Sequence, residues 1–189
     1  MIRLILVAGF VVLFLILSIP VMFVEWIIGR FDPGLKSRSS LAIVCWAFRC
    51  VRFLSGAKVD YIGEENIPSD TPVLYIGNHR SFFDVVLTYI RVPRPTGYIA
   101  KKSMEKVPLL NIWMRNLHCL FLDRDNLKEG LKTILTGIDY VKNGVSIWIF
   151  PEGTRNPGSG LMEFKEGSMK IAEKSGCPII PVAITGTAE

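Results

Sequence analysis

Twenty-one residues in a row, Leu4 to Val24 (LILVAGFVVLFLILSIPVMFV), carry no charge. That length is close to the roughly 20 residues a helix needs to cross a bilayer. A cleaved signal peptide would need a basic leader and a small-residue cleavage site. Here Arg3 is the one basic side chain ahead of the run, and the run ends in VMFVEW with no A-x-A pattern. The segment therefore reads as an anchor. Pro20 is placed to kink or divide it, because proline removes a helical donor and clashes with the preceding turn. The expectation is one span, or two helices dipping into one leaflet as a hairpin.

A second apolar stretch, SSLAIVCWAF (Ser39 to Phe48), is 10 residues long and runs into Arg49 and Arg52. It is too short to span alone and predicts an interfacial or re-entrant helix. Lys36, Arg38, Arg49, Arg52 and Lys58 cluster around it. Basic residues beside membrane segments suit anionic headgroups and the cytoplasmic side; a plain positive-inside flank accounts for them equally well. The expected location is a membrane, in a bacterium the cytoplasmic membrane, with the active site facing the cytoplasm. The net charge of +5 comes with no basic–aromatic module, so nucleic acid is not an expected partner. Four cysteines make no C-x-x-C pair and the two histidines lie far apart. Neither a disulfide framework nor a metal site is expected.

After about Gly56 the pattern changes. KVDYIG, VLYIG, TGYIAKK, CLFLDR, VSIWIF and PIIPVAI read as strands, mostly apolar on both faces. SFFDVVLTYI, VPLLNIWMRNL and EGSMKIAEKSG read as helices between them. The clearest helix is NLKEGLKTILTGIDYVKNG, where Leu127, Leu131, Ile134, Leu135, Ile138 and Val141 keep helical spacing. Asn126 can cap its start and Gly144 its end. Alternating strands and helices with doubly apolar strands predict an α/β domain: a largely parallel sheet flanked by helices. Residues 1–56 then form hydrophobic membrane-anchoring helices, and residues 57–189 the α/β domain. The chain stops at ITGTAE, just after a strand, which reads as an unusually short protein or as part of a longer one.

Ligands of such sheets bind beyond the carboxyl ends of the strands. Three segments there are chemically loaded. In NHRSFFD, His79 is a good base near neutral pH. A carboxylate at Asp84 can hold its other ring nitrogen and stabilise the imidazolium. The same letters also fit a capping box, with Ser81 at the helix start and Asp84 three residues on. In FPEGTRNPGSG, Gly153 lets backbone N–H groups approach an anion and Arg155 can clamp a phosphate. Glu152 can hold Arg155 or a substrate hydroxyl, although an ordinary turn with a surface ion pair fits too. In CLFLDRD, Arg124 can meet a phosphate or pair with Asp123 or Asp125. Lys101, Lys102 and Lys165 are further cations for acidic groups.

These blocks resemble the 1-acylglycerol-3-phosphate acyltransferases, the lysophosphatidate acyltransferases of phospholipid synthesis. NHRSFFD matches that family's N-H-x-x-x-x-D block, and FPEGTR its third. CLFLDR resembles the second, with an aromatic, two residues and an arginine, and IIPVAITG the fourth. AKKSMEKVPLLNIWMRNL resembles the stretch between the first two, so the likeness runs from about Val59 to Gly186. Where many members carry glycine, this chain has His118. The resemblance implies an O-acyltransferase in which His79 is the general base and Asp84 its partner. Arg124, Glu152, Gly153, Thr154 and Arg155 would hold the glycerol phosphate. The acyl donor would be acyl-CoA or acyl carrier protein, the acceptor lysophosphatidate and the product phosphatidate. The partners are then membrane lipid and these substrates, and no metal or redox cofactor is implied. The alternatives are glycerol-3-phosphate or another lysophospholipid as acceptor, a catalytically inactive membrane lipid-binding protein, and a lipid hydrolase.

Overall fold

The computed structural model describes residues 1–187 apart from Asp125 and Ser159. The apolar amino terminus forms two helices, α1 (Ile2–Leu17) and α2 (Ile19–Phe31), bent 50° at Ser18. The break precedes Pro20, which occupies the first turn of α2, where its missing N–H costs nothing. Among the described residues no single helix is long and apolar enough to cross a membrane; the bent pair together meets that length and composition. No residue of α1 is buried. Ser18, at the break, donates to Leu15 O at 3.0 Å and accepts from Trp113 Nε1 at 3.0 Å.

SSLAIVCWAF is not a helix by itself. It is the middle of α3 (Pro33–Ser55), which is capped by Asp32 accepting from Leu35 N at 2.8 Å and closed by Gly56 at φ +70°. One face of α3 buries Ser37, Ser40, Leu41, Val44, Cys45 and Val51, the spacing of an amphipathic helix packed on a core. It lies against α4 (Phe82–Tyr89) and α5 (Leu110–Asn116), not along an interface alone.

Among the described residues five strands form the sheet: β1 (Leu74–Gly77), β2 (Thr96–Lys101), β3 (Leu120–Leu122), β4 (Ser146–Ile149) and β5 (Ile179–Val182). Their order is β3-β2-β4-β1-β5, and every pairing is parallel. The fold is therefore α/β with a parallel sheet. Strand residues alternate between two cores, as side chains on successive positions must. Tyr75, Tyr98 and Trp148 face Leu41, Val44, Cys45 and Met22 of the amino-terminal helices. Leu74, Ile76, Ile147 and Ile149 face α6 (Leu127–Lys142) and α7 (Lys170–Ser175) through Val141 and Ile171. Asn126 caps α6 by accepting from Lys128 N and Glu129 N.

KVDYIG departs from expectation: residues 58–63 form no strand. The segment instead crosses α4, where the Tyr61 hydroxyl donates to Leu87 O at 3.3 Å. Gly63, at φ +79°, then turns it into a short 3-10 segment, Glu64–Asn66.

β4 lies directly between β2 and β1, with Tyr75 beside Trp148 and Ile76 beside Ile149. This late strand delivers the loop after Phe150 to the turn after Gly77. β5 flanks β1 on the other side. Three carboxyl ends, from β4, β1 and β5, thus converge on one place.

Candidate active site

NHRSFFD begins as β1 ends. Asn78 clamps the segment after β5: its Nδ2 donates to Ile184 O at 2.8 Å, and Ile184 N donates to its Oδ1 at 2.7 Å. His79 comes next, held by its backbone on both sides. Its N–H donates to Glu152 Oε1 at 3.0 Å, and its carbonyl accepts from Asn156 N at 2.7 Å. The ring stacks on Phe150 with centroids 4.1 Å apart.

Asp84 lies on the first turn of α4 and is wholly buried. Its Oδ2 accepts from His79 Nδ1 at 2.8 Å, Arg80 N at 2.7 Å and Ser81 N at 2.8 Å. Its Oδ1 accepts from the Thr187 hydroxyl at 2.5 Å. Ser81 caps the same helix, accepting from Phe83 N at 3.2 Å. The two readings of this block are therefore both true of one carboxylate: it closes the capping box and it holds the histidine. Burial alone would raise the Asp84 pKa. The bonds from His79, Ser81 N, Thr187 and Arg80 N outweigh it and hold the carboxyl below its ordinary range.

An ionised carboxylate can only accept, so Nδ1 of the neutral imidazole carries the proton. Nε2 then presents a lone pair, and it makes no hydrogen bond within the protein among the described residues. A bare Nε2 on an imidazole oriented through Nδ1 is the arrangement of a general base.

The PEGTR loop contributes more to building this turn than its sequence suggested. Glu152 is 2% exposed, and its second oxygen, Oε2, accepts from Met162 N at 3.1 Å. The carboxylate points inward, onto two backbone N–H groups. Gly153 has φ +74°, a conformation natural to glycine, and its N–H donates to Phe150 O within the turn. Thr154 and Arg155 are exposed, and the Arg155 guanidinium sits 3.9 Å above the Phe82 ring. Arg155 is thus next to the His79 block. Lys165 passes beside Gly153.

Arg124 is exposed just past β3. The strand order puts it three strand spacings from β1, about 14 Å at roughly 4.8 Å each. Its proposed partner Asp125 lies outside the described residues. Lys101 ends β2, and Lys102 pairs with Glu105 at 3.1 Å.

His118 is away from the site. It stands at φ +59°, the conformation for which glycine is suited, and its Nε2 lies 2.7 Å from Ser37 Oγ. Burial, then Lys36, lowers its pKa. Sequence reasoning gave Asn78 no role beyond its place in the N-H-x-x-x-x-D block and did not reach Asn156 and Thr187. No local signal shows what they do, because each acts on a segment distant along the chain.

A family model described as Acyltransferase matches residues 58–185. A 1-acyl-sn-glycerol-3-phosphate acyltransferase of Haemophilus influenzae is 37% identical over 158 residues, covering 80% of this chain and 64% of its own. One of Borreliella burgdorferi is 35% identical over 135 residues, covering 71% of this chain and 54% of its own. This chain thus spans about half to two thirds of the length of these curated relatives. The crystal structure of PlsC, the 1-acyl-sn-glycerophosphate (LPA) acyltransferase of Thermotoga maritima, superposes with a TM-score of 0.83. It is 29% identical, and the match covers 98% of this chain and 75% of that one.

Proposed function

This chain belongs to the acyltransferase family, and from that membership we propose that it acylates the free hydroxyl of 1-acyl-glycerol-3-phosphate, giving phosphatidate. The observation that carries the proposal is the His79–Asp84 pair, with Nδ1 held at 2.8 Å and Nε2 bare, beyond the carboxyl end of a parallel strand. Nε2 takes the proton of the acceptor hydroxyl as its oxygen attacks the carbonyl carbon of an acyl thioester. The buried Asp84 carboxylate stabilises the imidazolium that forms. The tetrahedral adduct collapses with loss of the thiolate, which receives the proton from Nε2. No acyl-enzyme is needed.

Arg155, beside the pair, is suited to the acceptor phosphate through its planar fork. Arg124 is far enough along the sheet to meet a different part of a long substrate. Glu152 acts through the turn that carries His79 rather than on the substrate, and Gly153 shapes the turn after β4. The donor is acyl-CoA or acyl carrier protein. The exposed apolar surface of α1 and α2 holds the domain at a membrane. Lys36, Arg38, Arg49 and Arg52 of α3 favour its cytoplasmic side. Both acyl-bearing substrates partition there.

The test is product formation by the reconstituted chain with labelled acyl-CoA and lysophosphatidate, beside His79→Ala. Phosphatidate from wild type alone is expected. Equal turnover by folded His79→Ala overturns the base assignment. Free fatty acid released without acceptor would mean hydrolysis. No product with either donor, from folded protein, would leave lipid binding as the function.

A further inference from the structure

We propose that Thr187 is a positioning residue of the acyl transfer: its hydroxyl holds the second oxygen of Asp84 and thereby fixes the aim of His79. The inference rests on the proposed role of that pair as the base. It starts from an asymmetry in how the carboxylate is held. Oδ2 has three donors, all from the turn between β1 and α4. Among the described residues Oδ1 has one, and it comes from 103 residues away. Asp84 is wholly buried, so without Thr187 the Oδ1 oxygen has no donor among the described residues. A buried carboxylate oxygen with no donor favours uptake of a proton. A protonated Asp84 no longer compensates an imidazolium at His79.

The chain is shaped to bring this hydroxyl in. β5 runs parallel to β1 on its free side. As the two strands end, Asn78 pins Ile184 by both its N–H and its carbonyl. Gly186, at φ +74°, then turns the backbone, and Thr187 reaches Asp84 at 2.5 Å. The segment from Ile184 to Thr187 is uncharged, and Thr187 is its residue that bonds Asp84. The titratable and charged groups on the neighbouring elements are His79 and Arg80 after β1, and Glu152, Arg155 and Lys165 after β4. Glu152 is committed to the His79 and Met162 N–H groups, and Arg155 lies over the Phe82 ring.

The experiment compares wild type, Thr187→Val and Thr187→Ser in the full chain. Valine matches the shape and lacks the hydroxyl, whereas serine restores it. Two readouts are taken. The first is kcat and KM for both substrates across pH. The second is titration of the Asp84 carboxyl by side-chain 13C NMR, assigned by its loss in Asp84→Asn. Thr187→Val is expected to lower kcat about tenfold, the loss of one hydrogen bond to a charged group, with both KM values held. It should also raise the Asp84 pKa and move the acid limb of the rate profile to higher pH. Thr187→Ser should restore both. An unchanged Asp84 titration in Thr187→Val, or a serine variant as impaired as valine, overturns the proposal. The NMR arm needs no acyl acceptor, so it rules on Thr187 even where the substrate assignment fails.

Discussion

Glu152 tests the division between groups that hold the site and groups that hold the substrate. Its carboxylate is 2% exposed and takes two backbone N–H groups, His79 at 3.0 Å and Met162 at 3.1 Å. Glu152→Ala leaves both donors without a partner. A buried donor left unmade costs about 1–3 kcal/mol. Both bonds are partly reachable by water, so the low end applies and the sum is about 2 kcal/mol. For a chain of this size that lowers Tm by roughly 4–8 °C. Glu152→Gln keeps the shape and one acceptor oxygen, so about half of the loss is expected. The catalytic effect follows from His79, whose peptide is released on one side. A displacement of about 1 Å costs on the order of 10²-fold in rate, and it should fall on kcat, with acceptor KM within about twofold. Calorimetry and steady-state kinetics on both variants measure these quantities. A Glu152→Gln variant of wild-type Tm and kcat with a raised acceptor KM would refute the reasoning and return Glu152 to the substrate.

Asp84 also sets an acid limit on stability. Its folded pKa lies below its ordinary value near 3.8, so it stabilises the fold above that value, and the contribution fades as pH falls through the folded pKa. As pH falls below about 3.8 the Tm of wild type should fall more steeply than that of Asp84→Asn; parallel curves would contradict the assignment. At His118, glycine would relieve about 1 kcal/mol of left-handed strain and give up a similar amount in the Ser37 bond. His118→Gly should therefore melt near wild type and His118→Ala clearly below it; equal losses would show that backbone strain is absent. Gly97→Ala should destabilise by about 3 kcal/mol, because a Cβ there would meet His118 O at 2.1 Å; a neutral result in denaturant melts would mean the turn gives way.

The elements that were legible in the sequence are those whose cause is local. Leu127 to Val141 spell a helix by spacing, with Asn126 as its cap. The apolar runs VLYIG and SIWI spell buried strands. The fold class followed from their alternation. What was hidden depends on partners far along the chain. KVDYIG alternates like a strand yet has no place on the sheet. SSLAIVCWAF looked short because only its apolar residues were counted. Its capping signals at Asp32 and Gly56 lie well outside it and make one long helix of it. His79 and Asp84 were readable because the turn joining them is local. The roles of Glu152 and Thr187 were not, since they arise from contacts across 73 and 103 residues.

The bend at Ser18 is tied to Trp113 of α5, and Met22, Leu41 and Val44 lie in the same core as Tyr75 and Trp148. The amino-terminal helices are therefore a rigid mount and not a tether. Any surface that holds α1 and α2 also fixes the height and tilt at which His79 faces it. Cutting the chain ahead of the sheet would uncover a broad aromatic face, so a free-floating version of the α/β half would need that face redesigned.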